Sequence, residues 1–593
     1  MATKLGLALS GGGFRASFYH IGVLAQMAEQ GLLRHVEVIS AVSGGSIIAA
    51  LYYLHLKKLL ESKPDDQVED ADYVRIIETI ERDFFKAVET NLRMQTFSSF
   101  AANWEMRRAD YSRSDRLAEL YNEHFYRPVL SKSGPIEMRE LKIHPPGFPH
   151  FHPHYHNYCR KAKVPILILN ATTLNTGRDW QFTARTMGEP MRHDDQGQPI
   201  YEESDNIPIR LRRARPGYDN MVLRQQNFTL GDAVAASACV PGLFHPLAVS
   251  ELYRENDDPI RVQLVDGGVH DNQGIGALRD ENCTHFVVSD ASGQMTFDHL
   301  PATSTVPVLL RAASVLQDRV RGENLNRLFE TCGRNQVAFI YLRKGLAIRE
   351  LSWIGPNDQP AEPDRTVGPF TKEYGVAAKV QERLADIRTD LDAFSEVEAN
   401  SLMLDGFLAS KQELAHLGKA LSYPEPATGE PTQWQFRQIR PWMENGSEDY
   451  LHQLEVARYQ VGKPLLLIPW FLAVTVLATV AGLILLWPEL MAGLNSSLSV
   501  AAIVLTLVVV FIDYLGRRLA HLKTLHKLAQ VIVMLKYLRT PLAFYQAVKR
   551  FLLRSALPLL GTVFVQGYLR FINPLFLKRG SLERLKKVHP LNS

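Results

Sequence analysis

The sequence predicts an α/β fold followed by a C-terminal α-helical membrane region. Two short apolar stretches, residues 4–9 and 36–42, each lead through a glycine-bearing turn into an apolar helical pattern, which is typical of an α/β opening. Two further stretches, residues 464–487 and 498–512, carry no charged residue and predict helices in a bilayer. The chain of 593 residues is long enough for more than one domain.

Residues 36–50 join a β-branched apolar strand to an apolar helix, with only Ser43, Gly44 and Gly45 between them. A strand that becomes a helix within three residues strains its backbone at the corner, and small neighbours let the corner side chain project. Ser43 lies at that corner, in front of unpaired helix N–H groups. The pattern predicts a nucleophilic serine, with Ala41 in place of the first glycine of G-x-S-x-G. A serine N-cap at a tight turn is the alternative.

Three consecutive glycines, Gly11, Gly12 and Gly13, open the helical pattern that follows the first strand. Bare amides at a helix N-terminus attract negative charge, and a tetrahedral oxyanion needs such donors beside a nucleophilic serine. The alternative is a dinucleotide-binding loop, because the pattern from Gly11 onward fits G-x-G-x-x-A. That interpretation requires an acidic residue at the end of the second strand, and the second strand ends without one.

A candidate base follows the apolar stretch at residues 262–265, where Asp266 is followed by two glycines that allow other segments to approach. An aspartate at a strand end is by itself a common turn residue. Asp290 also ends an apolar strand and is the competing candidate. The neighbouring glycines favour Asp266, and a contribution from nearby His270 stays open.

In this order, the glycine loop, the serine turn and the strand-Asp-Gly-Gly sequence resemble the patatin-like phospholipases and the related cytosolic phospholipases. Residues 168–178 and 235–244 also look like segments of that family, so the resemblance covers roughly residues 4–345. It implies a three-layer α/β/α hydrolase domain with Ser43 as nucleophile, Asp266 as its base, no catalytic histidine, no metal and no cofactor.

The resemblance also implies that the amides of the three loop glycines, together with that of Gly44, hold the oxyanion. Arg15 directly follows the loop, as in the cytosolic relatives, and would add positive charge near the oxyanion. A solvated arginine in the first helical turn is the alternative. A dyad further requires a partly desolvated carboxylate beside Ser43, since burial raises its basicity enough to take the proton.

The implied function is that of a membrane-anchored serine acyl hydrolase, of phospholipase or lysophospholipase type, which cleaves fatty-acyl esters of lipids through an acyl-enzyme. Acyl transfer by the same dyad and a non-catalytic lipid-binding scaffold are the alternatives. The expected partners are a membrane phospholipid substrate and the lipid bilayer. Nucleic acid is not expected, because the basic tail adjoins two apolar stretches. The oligomeric state stays open.

The predicted domains are the hydrolase domain at residues 1–345, a helical extension and linker at 346–460, and the membrane region at 461–593. The first domain holds a helical insertion at about 65–127 that could cap the site, and a loop rich in His and Pro at 144–156. If that loop were extended, alternate residues would present imidazoles on one face, as metal ligands do. Its prolines disfavour a paired strand, so a surface loop is predicted. The histidines in question are His150, His152, His154 and His156.

The membrane region is predicted to contain two transmembrane helices, at about 464–487 and 498–515. Their connection lacks Lys and Arg, whereas Lys463 and Arg517 flank the outer ends, so the positive-inside rule places the catalytic domain in the cytoplasm. In a bacterium the membrane would be the inner membrane. After Asp513 there are fifteen Lys and Arg and one acid. This composition predicts a basic amphipathic tail at an anionic lipid interface. Four cysteines without C-x-x-C spacing fit a reducing compartment.

Overall fold

The computed structural model describes residues 3–106, 111–191, 208–213, 217–293, 295–368, 374–423, 432–460, 462–467 and 561–588. The chain divides into two units, one of Met1–Val461 with Val565–Ser593 and one of Gly462–Phe564. Among the residues described, no helix combines the length and the apolar character needed to cross a bilayer. The two predicted transmembrane helices lie outside the described residues, except for residues 464–467. They stay predictions.

The described part of the first unit holds a nine-stranded mixed sheet and a separate two-stranded ribbon. The strands are β1 (Leu5–Leu9), β2 (Val36–Val42), β3 (Ile166–Thr173), β4 (Asp179–Phe182), β5 (Met187–Gly188), β6 (Leu247–Glu255), β7 (Asp258–Asp266), β8 (His285–Asp290), β9 (Val337–Tyr341), β10 (Ile348–Glu350) and β11 (Arg365–Val367). The order in the large sheet is β5-β4-β3-β2-β1-β8-β9, and β7 pairs with both β3 and β6. The central pairs are parallel, so β1 and β2 end at the same edge.

Most of the described helices connect successive strands, and the others follow the last strand, β11. They are α1 (Gly13–Glu29), α2 (Gly44–Ser62), α3 (Asp70–Glu89), α4 (Leu92–Gln95), α5 (Phe100–Glu105), α6 (Arg113–Tyr121), α7 (Arg127–Leu130), α8 (Pro153–His156), α9 (Leu223–Gln226), α10 (Leu230–Ala238), α11 (Gly268–Asp271), α12 (Ile275–Asp280), α13 (Thr305–Cys332), α14 (Ala378–Ala385), α15 (Glu396–Ala420), α16 (Arg440–Asn445), α17 (Glu448–Val456), α18 (Lys463–Leu467), α19 (Asn573–Arg579) and α20 (Leu582–Val588). All but α18, which belongs to the second unit, lie in the first unit.

Apolar side chains cover both faces of the sheet, which gives the predicted α/β arrangement. Along β1, Leu7 and Leu9 point to one face and join a large core cluster with residues of α1, α2, α3 and α15. Ala8 points to the other face and joins a smaller cluster with residues of α12 and α13. A strand buried on both sides reads as a continuous apolar run, as this one does.

The predicted helical extension is joined closely to the α/β body. Helix α15 crosses α1 at two glycines: a Cβ on Gly22 would lie 1.9 Å from the Met403 carbonyl oxygen, and one on Gly406 would lie 2.2 Å from that of Tyr19. The two backbones approach this closely because neither position carries a side chain. The sequence predicts a helical extension. The structure adds an antiparallel ribbon of β10 and β11 within it.

The end of the predicted lipid-binding tail packs on the same unit. The Gly580 carbonyl accepts a bond from the Val397 N–H at 3.0 Å, and the Leu582 N–H donates to the Glu396 carboxylate at 2.8 Å. Leu582 and Leu585 are buried in the large core cluster. Residues 573–588 are therefore held by the first turn of α15, which the charge pattern of the tail did not indicate.

The predicted insertion and the His-rich loop also acquire definite structure. Phe84 of α3 is fully buried and packs edge-on against Phe18 at 5.1 Å, so this helix is core rather than a cap. Phe100 and Trp104 keep more than a third of their surface exposed. In the His-rich loop, α8 forms a helical turn, which removes the alternation that an extended segment would show. His154 bonds the Glu281 carboxylate at 2.7 Å instead.

Candidate active site

Ser43 lies at the corner where β2 ends and α2 begins. Its backbone has φ 50° and ψ −117°, a conformation that is strained for a residue with a side chain. The side chain is almost buried, at 6% exposure. The local structure therefore agrees with the strained serine turn that the sequence predicts.

The corner is held by Ser237 near the end of α10. The Ser43 N–H donates to the Ser237 Oγ at 2.9 Å, and the Ser237 hydroxyl donates to the Asn170 carbonyl at 2.6 Å. The Ser46 hydroxyl lies 2.8 Å from the same oxygen. Because Ser237 has one proton to donate, Ser46 is the donor of that contact, and Ser237 uses its donor and both of its lone pairs. The family resemblance seen in the sequence includes residues 235–244 but assigns no role to Ser237.

Asp266 is brought to Ser43 by the register of three strands. Along one edge of β3, Asn170 pairs with Val42 at the end of β2, and the next residue, Ala171, pairs with Asp266 at the end of β7. The carboxyl ends of the two strands thus meet along this edge, and the Ser43 hydroxyl lies close enough to the Asp266 carboxylate to act on its pKa. The structure brings the two predicted residues together.

The environment of Asp266 favours a basic carboxyl. Burial raises its pKa to about 6, against the opposing effect of bonds from the Gly268 N–H and the Ser43 hydroxyl. The Gly268 amide lies 2.7 Å from Oδ1. A carboxyl with this pKa is ionised at neutral pH and is a far better proton acceptor than an exposed aspartate.

The two competing candidates for the base, Asp290 and His270, have other surroundings. Asp290 receives bonds from the Arg321 guanidinium and the Ser292 hydroxyl, each at 2.6 Å. Burial alone would raise the pKa of Asp290, but these partners outweigh it and hold the pKa below its ordinary value. His270 is exposed on α11. The structure thus favours Asp266 as the partner of Ser43.

The glycine loop faces the serine corner, with one change to the predicted set of donors. The Gly11 N–H is already bonded to the Asn272 carbonyl at 3.0 Å, so it is not free for an oxyanion. Within the described residues, the amides of Gly12, Gly13 and Gly44 have no acceptor. A Cβ on Gly44 would lie 2.1 Å from the Gly13 carbonyl oxygen, so the loop meets the turn only because that residue is glycine.

Arg15 is neither solvated nor a free charge. It is 4% exposed and donates to the carbonyl oxygens of Ala291 and Ile387 at 3.0 and 2.7 Å. Burial lowers its pKa to about 10, against the attraction of Asp290. The alternative of a solvated first-turn arginine is therefore wrong, because the side chain is buried against carbonyl oxygens that lie far along the chain. The Asp390 carbonyl likewise accepts the Phe14 N–H at 2.9 Å, so the extension braces the loop.

Asn272 is a further residue of the site, to which the sequence analysis assigned no role. Its carbonyl holds Gly11, and its side-chain oxygen packs so closely that a Cβ on Gly11 would lie 2.3 Å away and one on Gly268 2.5 Å away. It therefore lies between the glycine loop and the loop after Asp266. In the part of the chain that the structure describes, no three His, Cys, Asp or Glu side chains converge as metal ligands.

The fold and the site first define a class, an α/β domain that carries a serine on a nucleophile turn with a carboxylate beside it. Residues 7–279 match the family model described as patatin-like phospholipase, so this part of the chain is a patatin-like phospholipase domain. No curated protein matches the chain.

Several solved structures are similar at low identity. Human GIVD cytosolic phospholipase A2 is 13% identical with a TM-score of 0.34, and the match covers 71% of this chain and 63% of that one. VipD from Legionella pneumophila is 13% identical with a TM-score of 0.24, over 70% of this chain and 66% of that one. The SpcU–ExoU complex of Pseudomonas aeruginosa gives 12% identity and a TM-score of 0.20, over 78% and 87%. The chain spans less than two thirds of the human enzyme.

Proposed function

We propose that this protein is a membrane-anchored serine hydrolase that cleaves fatty-acyl esters of lipids through a Ser43–Asp266 dyad. The observation that carries the proposal is the buried Asp266 carboxylate, which the strand register brings beside a serine on a strained turn. A serine hydroxyl is a weak nucleophile unless a base takes its proton, and Asp266 supplies that base. The match of residues 7–279 to the patatin-like phospholipase family model supports the lipid substrate.

In the first half of the reaction, the Ser43 Oγ attacks the ester carbonyl carbon while Asp266 takes the hydroxyl proton. The carbonyl oxygen becomes an oxyanion, which receives the amides of Gly12, Gly13 and Gly44. The tetrahedral intermediate collapses as its C–O bond to the alcohol breaks, and Asp266 gives its proton to the departing oxygen. The acyl group is then an ester of Ser43.

In the second half, water attacks the acyl carbon while Asp266 takes one of its protons. The bond from the acyl carbon to the Ser43 Oγ breaks, the fatty acid leaves, and the proton returns to the serine. The same group serves as base and then as acid in each half, which a carboxyl with a pKa of about 6 can do near neutral pH.

The anchoring part of the proposal rests on the sequence. Residues 464–487 and 498–515 form two transmembrane helices, with the catalytic unit on the cytoplasmic side. This arrangement keeps the enzyme beside its lipid substrate. Protease treatment of sealed, right-side-out membrane vesicles tests this orientation, since a catalytic unit on the cytoplasmic side would be protected inside them.

Labelling of the full chain with a fluorophosphonate tests the chemistry. Wild type is expected to form a covalent adduct, Ser43→Ala to form none, and Asp266→Asn to react far more slowly. Asp290→Asn is the matched control, since it removes a buried carboxylate from a neighbouring strand end without touching Ser43. Labelling that survives Ser43→Ala would overturn the nucleophile assignment, and equal effects of the two aspartate variants would overturn the base assignment.

A further inference from the structure

Helix α13 exposes apolar side chains over most of its first half. Counting 100° per residue, seven large aliphatic side chains spread over an arc of about 220°. They are Val306, Val308, Leu309, Leu310, Val315, Leu316 and Val320, here called the apolar face. Leu309, Leu310 and Leu316 are 63%, 62% and 67% exposed. Such a patch is far larger than scattered surface leucines, and it marks an interaction site.

The orientation of this helix is the reverse of that expected for a surface helix. Arg311, Asp318 and Arg321 are its less exposed side chains in this half, and they lie on the side that carries the buried Leu325 and Leu328 further along. The polar residues therefore face the protein and the apolar face is turned away from it. A helix that packed only for stability would show the opposite pattern.

The loop before α13 also exposes apolar side chains. Phe297 and Leu300 are 75% and 88% exposed, and the Arg311 guanidinium donates to the Thr296 carbonyl at 2.6 Å, which ties this loop to the helix. Aromatic and aliphatic tips of this kind add to the area that an apolar phase could cover.

The same helix touches the loop that carries the proposed base. The Gln317 side chain donates to the Gly268 carbonyl at 3.2 Å, and the Gly268 N–H holds the Asp266 carboxylate. One helical turn further, Arg321 pairs with Asp290 at the end of the neighbouring strand. Whatever binds the apolar face is therefore brought next to the site.

We propose that α13 is the surface through which the catalytic unit docks on a lipid bilayer, a proposal that rests on the proposed function for its purpose. An arc of about 220° is wider than the stripe that a partner helix covers, whereas a helix lying in a bilayer interface immerses such an arc. Residues 305–334 also carry five arginines and three acids. Arg327 is exposed further along the helix and complements anionic head groups, whereas Arg319 is paired with Glu323 at 2.7 Å.

Local quenching in the full chain tests this docking without relying on activity. In a Cys159→Ser, Cys332→Ser background, a fluorophore is attached through Leu309→Cys, or through Leu223→Cys on exposed α9 as the control. The protein is reconstituted into phosphatidylcholine–phosphatidylglycerol vesicles. The fluorophore at position 309 should be quenched by doxyl lipids and protected from aqueous iodide, whereas that at position 223 should show the reverse.

Each other outcome overturns the proposal. Iodide quenching at both positions would mean that the apolar face stays in water. Protection of position 309 from both quenchers would mean that protein covers it, either another segment of this chain or a second copy.

A second comparison separates docking from catalysis. Leu309→Glu with Leu316→Glu should lower hydrolysis of vesicle phospholipid at least tenfold and leave hydrolysis of a soluble short-chain ester unchanged. Val222→Glu with Leu223→Glu, which alters equally exposed apolar residues elsewhere, should change neither. Equal loss on both substrates would overturn the docking role. If no ester is hydrolysed by wild type, the proposed function fails while the quenching result still decides docking.

Discussion

Replacement of Asp266 by asparagine should make the protein more stable and far less active. The pKa of Asp266 is raised by burial to about 6, above its ordinary value of 3.8. A group whose folded pKa exceeds its unfolded pKa contributes stability at low pH and loses it as the pH rises through the folded value. At pH 8 the folded protein therefore bears the cost of a buried charge, and the shift corresponds to about 3 kcal/mol.

Asparagine keeps the volume of the side chain and an oxygen that can accept the Gly268 N–H, but it removes the charge. We expect the free energy of unfolding at pH 8 to rise by as much as about 3 kcal/mol. The gain should disappear near pH 4, where the folded wild type is protonated at Asp266. Hydrolysis of a soluble ester should fall about 10²- to 10⁴-fold, the contribution of a general base.

Urea unfolding followed by tryptophan fluorescence at pH 4 and pH 8, with ester hydrolysis measured on the same preparations, checks both effects. Asp290→Asn should have the opposite effect on stability at pH 8, because it leaves the Arg321 guanidinium without its carboxylate. A lower stability of Asp266→Asn at pH 8, or an activity equal to that of wild type, would refute the reasoning.

Four further predictions concern Asp266, the corner at Ser43 and the extension. The ester hydrolysis rate of wild type should rise about tenfold per pH unit below pH 6 and level off above it, as Asp266 ionises. Ser237→Ala leaves the buried Ser43 N–H without an acceptor and should cost about 1–3 kcal/mol of unfolding free energy and slow fluorophosphonate labelling. Gly44→Ala forces a methyl group against a loop carbonyl and should cost about 3 kcal/mol or more. Arg388→Met strands two buried carboxylates and should cost about 3–5 kcal/mol by urea unfolding.

Each of the three substitutions has a matched control. Gly134→Ala adds a methyl group in open space and should change stability little. Arg440→Met removes an exposed pair with Glu444 and should cost less than about 1 kcal/mol. Ser46→Ala removes one donor to Ser237 while the Ser43 contact remains, so it should slow labelling less than Ser237→Ala. A larger effect from any control than from its partner would contradict the assignments.

The elements around the site could be predicted because their signals are local. The strand that ends at Val42 and the corner at Ser43 lie where the sequence predicts them, and the helix begins at Gly44, a few residues before the apolar pattern that predicts it. The match of Asp266 to Ser43 is different. It depends on Asn170 and Ala171 pairing with two different strands along one edge of β3, and neither composition nor periodicity reports such a register.

Two contacts of the glycine loop that the sequence does not indicate share a physical reason. The sequence leaves Arg15 either near the oxyanion or solvated, yet it is buried and its acceptors are carbonyl oxygens 276 and 372 residues away. Gly11 looked like a free donor because helix N-termini carry unpaired amides, yet a carbonyl from the loop after Asp266 already accepts it. Backbone groups of distant segments leave no mark in the sequence, so these contacts could not be foreseen.

The site combines a rigid corner at Ser43 with the neighbouring helix α13, whose exposed side chains are apolar. The backbone of Ser43 costs on the order of 1–3 kcal/mol of strain, and it persists because Ser237 bonds its N–H and is itself fully satisfied. Such a corner has little freedom to move toward a lipid, and Ser43 and Asp266 are both only 6% exposed. Access to the ester must therefore come from the elements around the dyad. Since α13 touches the loop after Asp266 and exposes its apolar face, contact with lipid would act first on that loop, and the quenching experiment and the vesicle assay together examine that step.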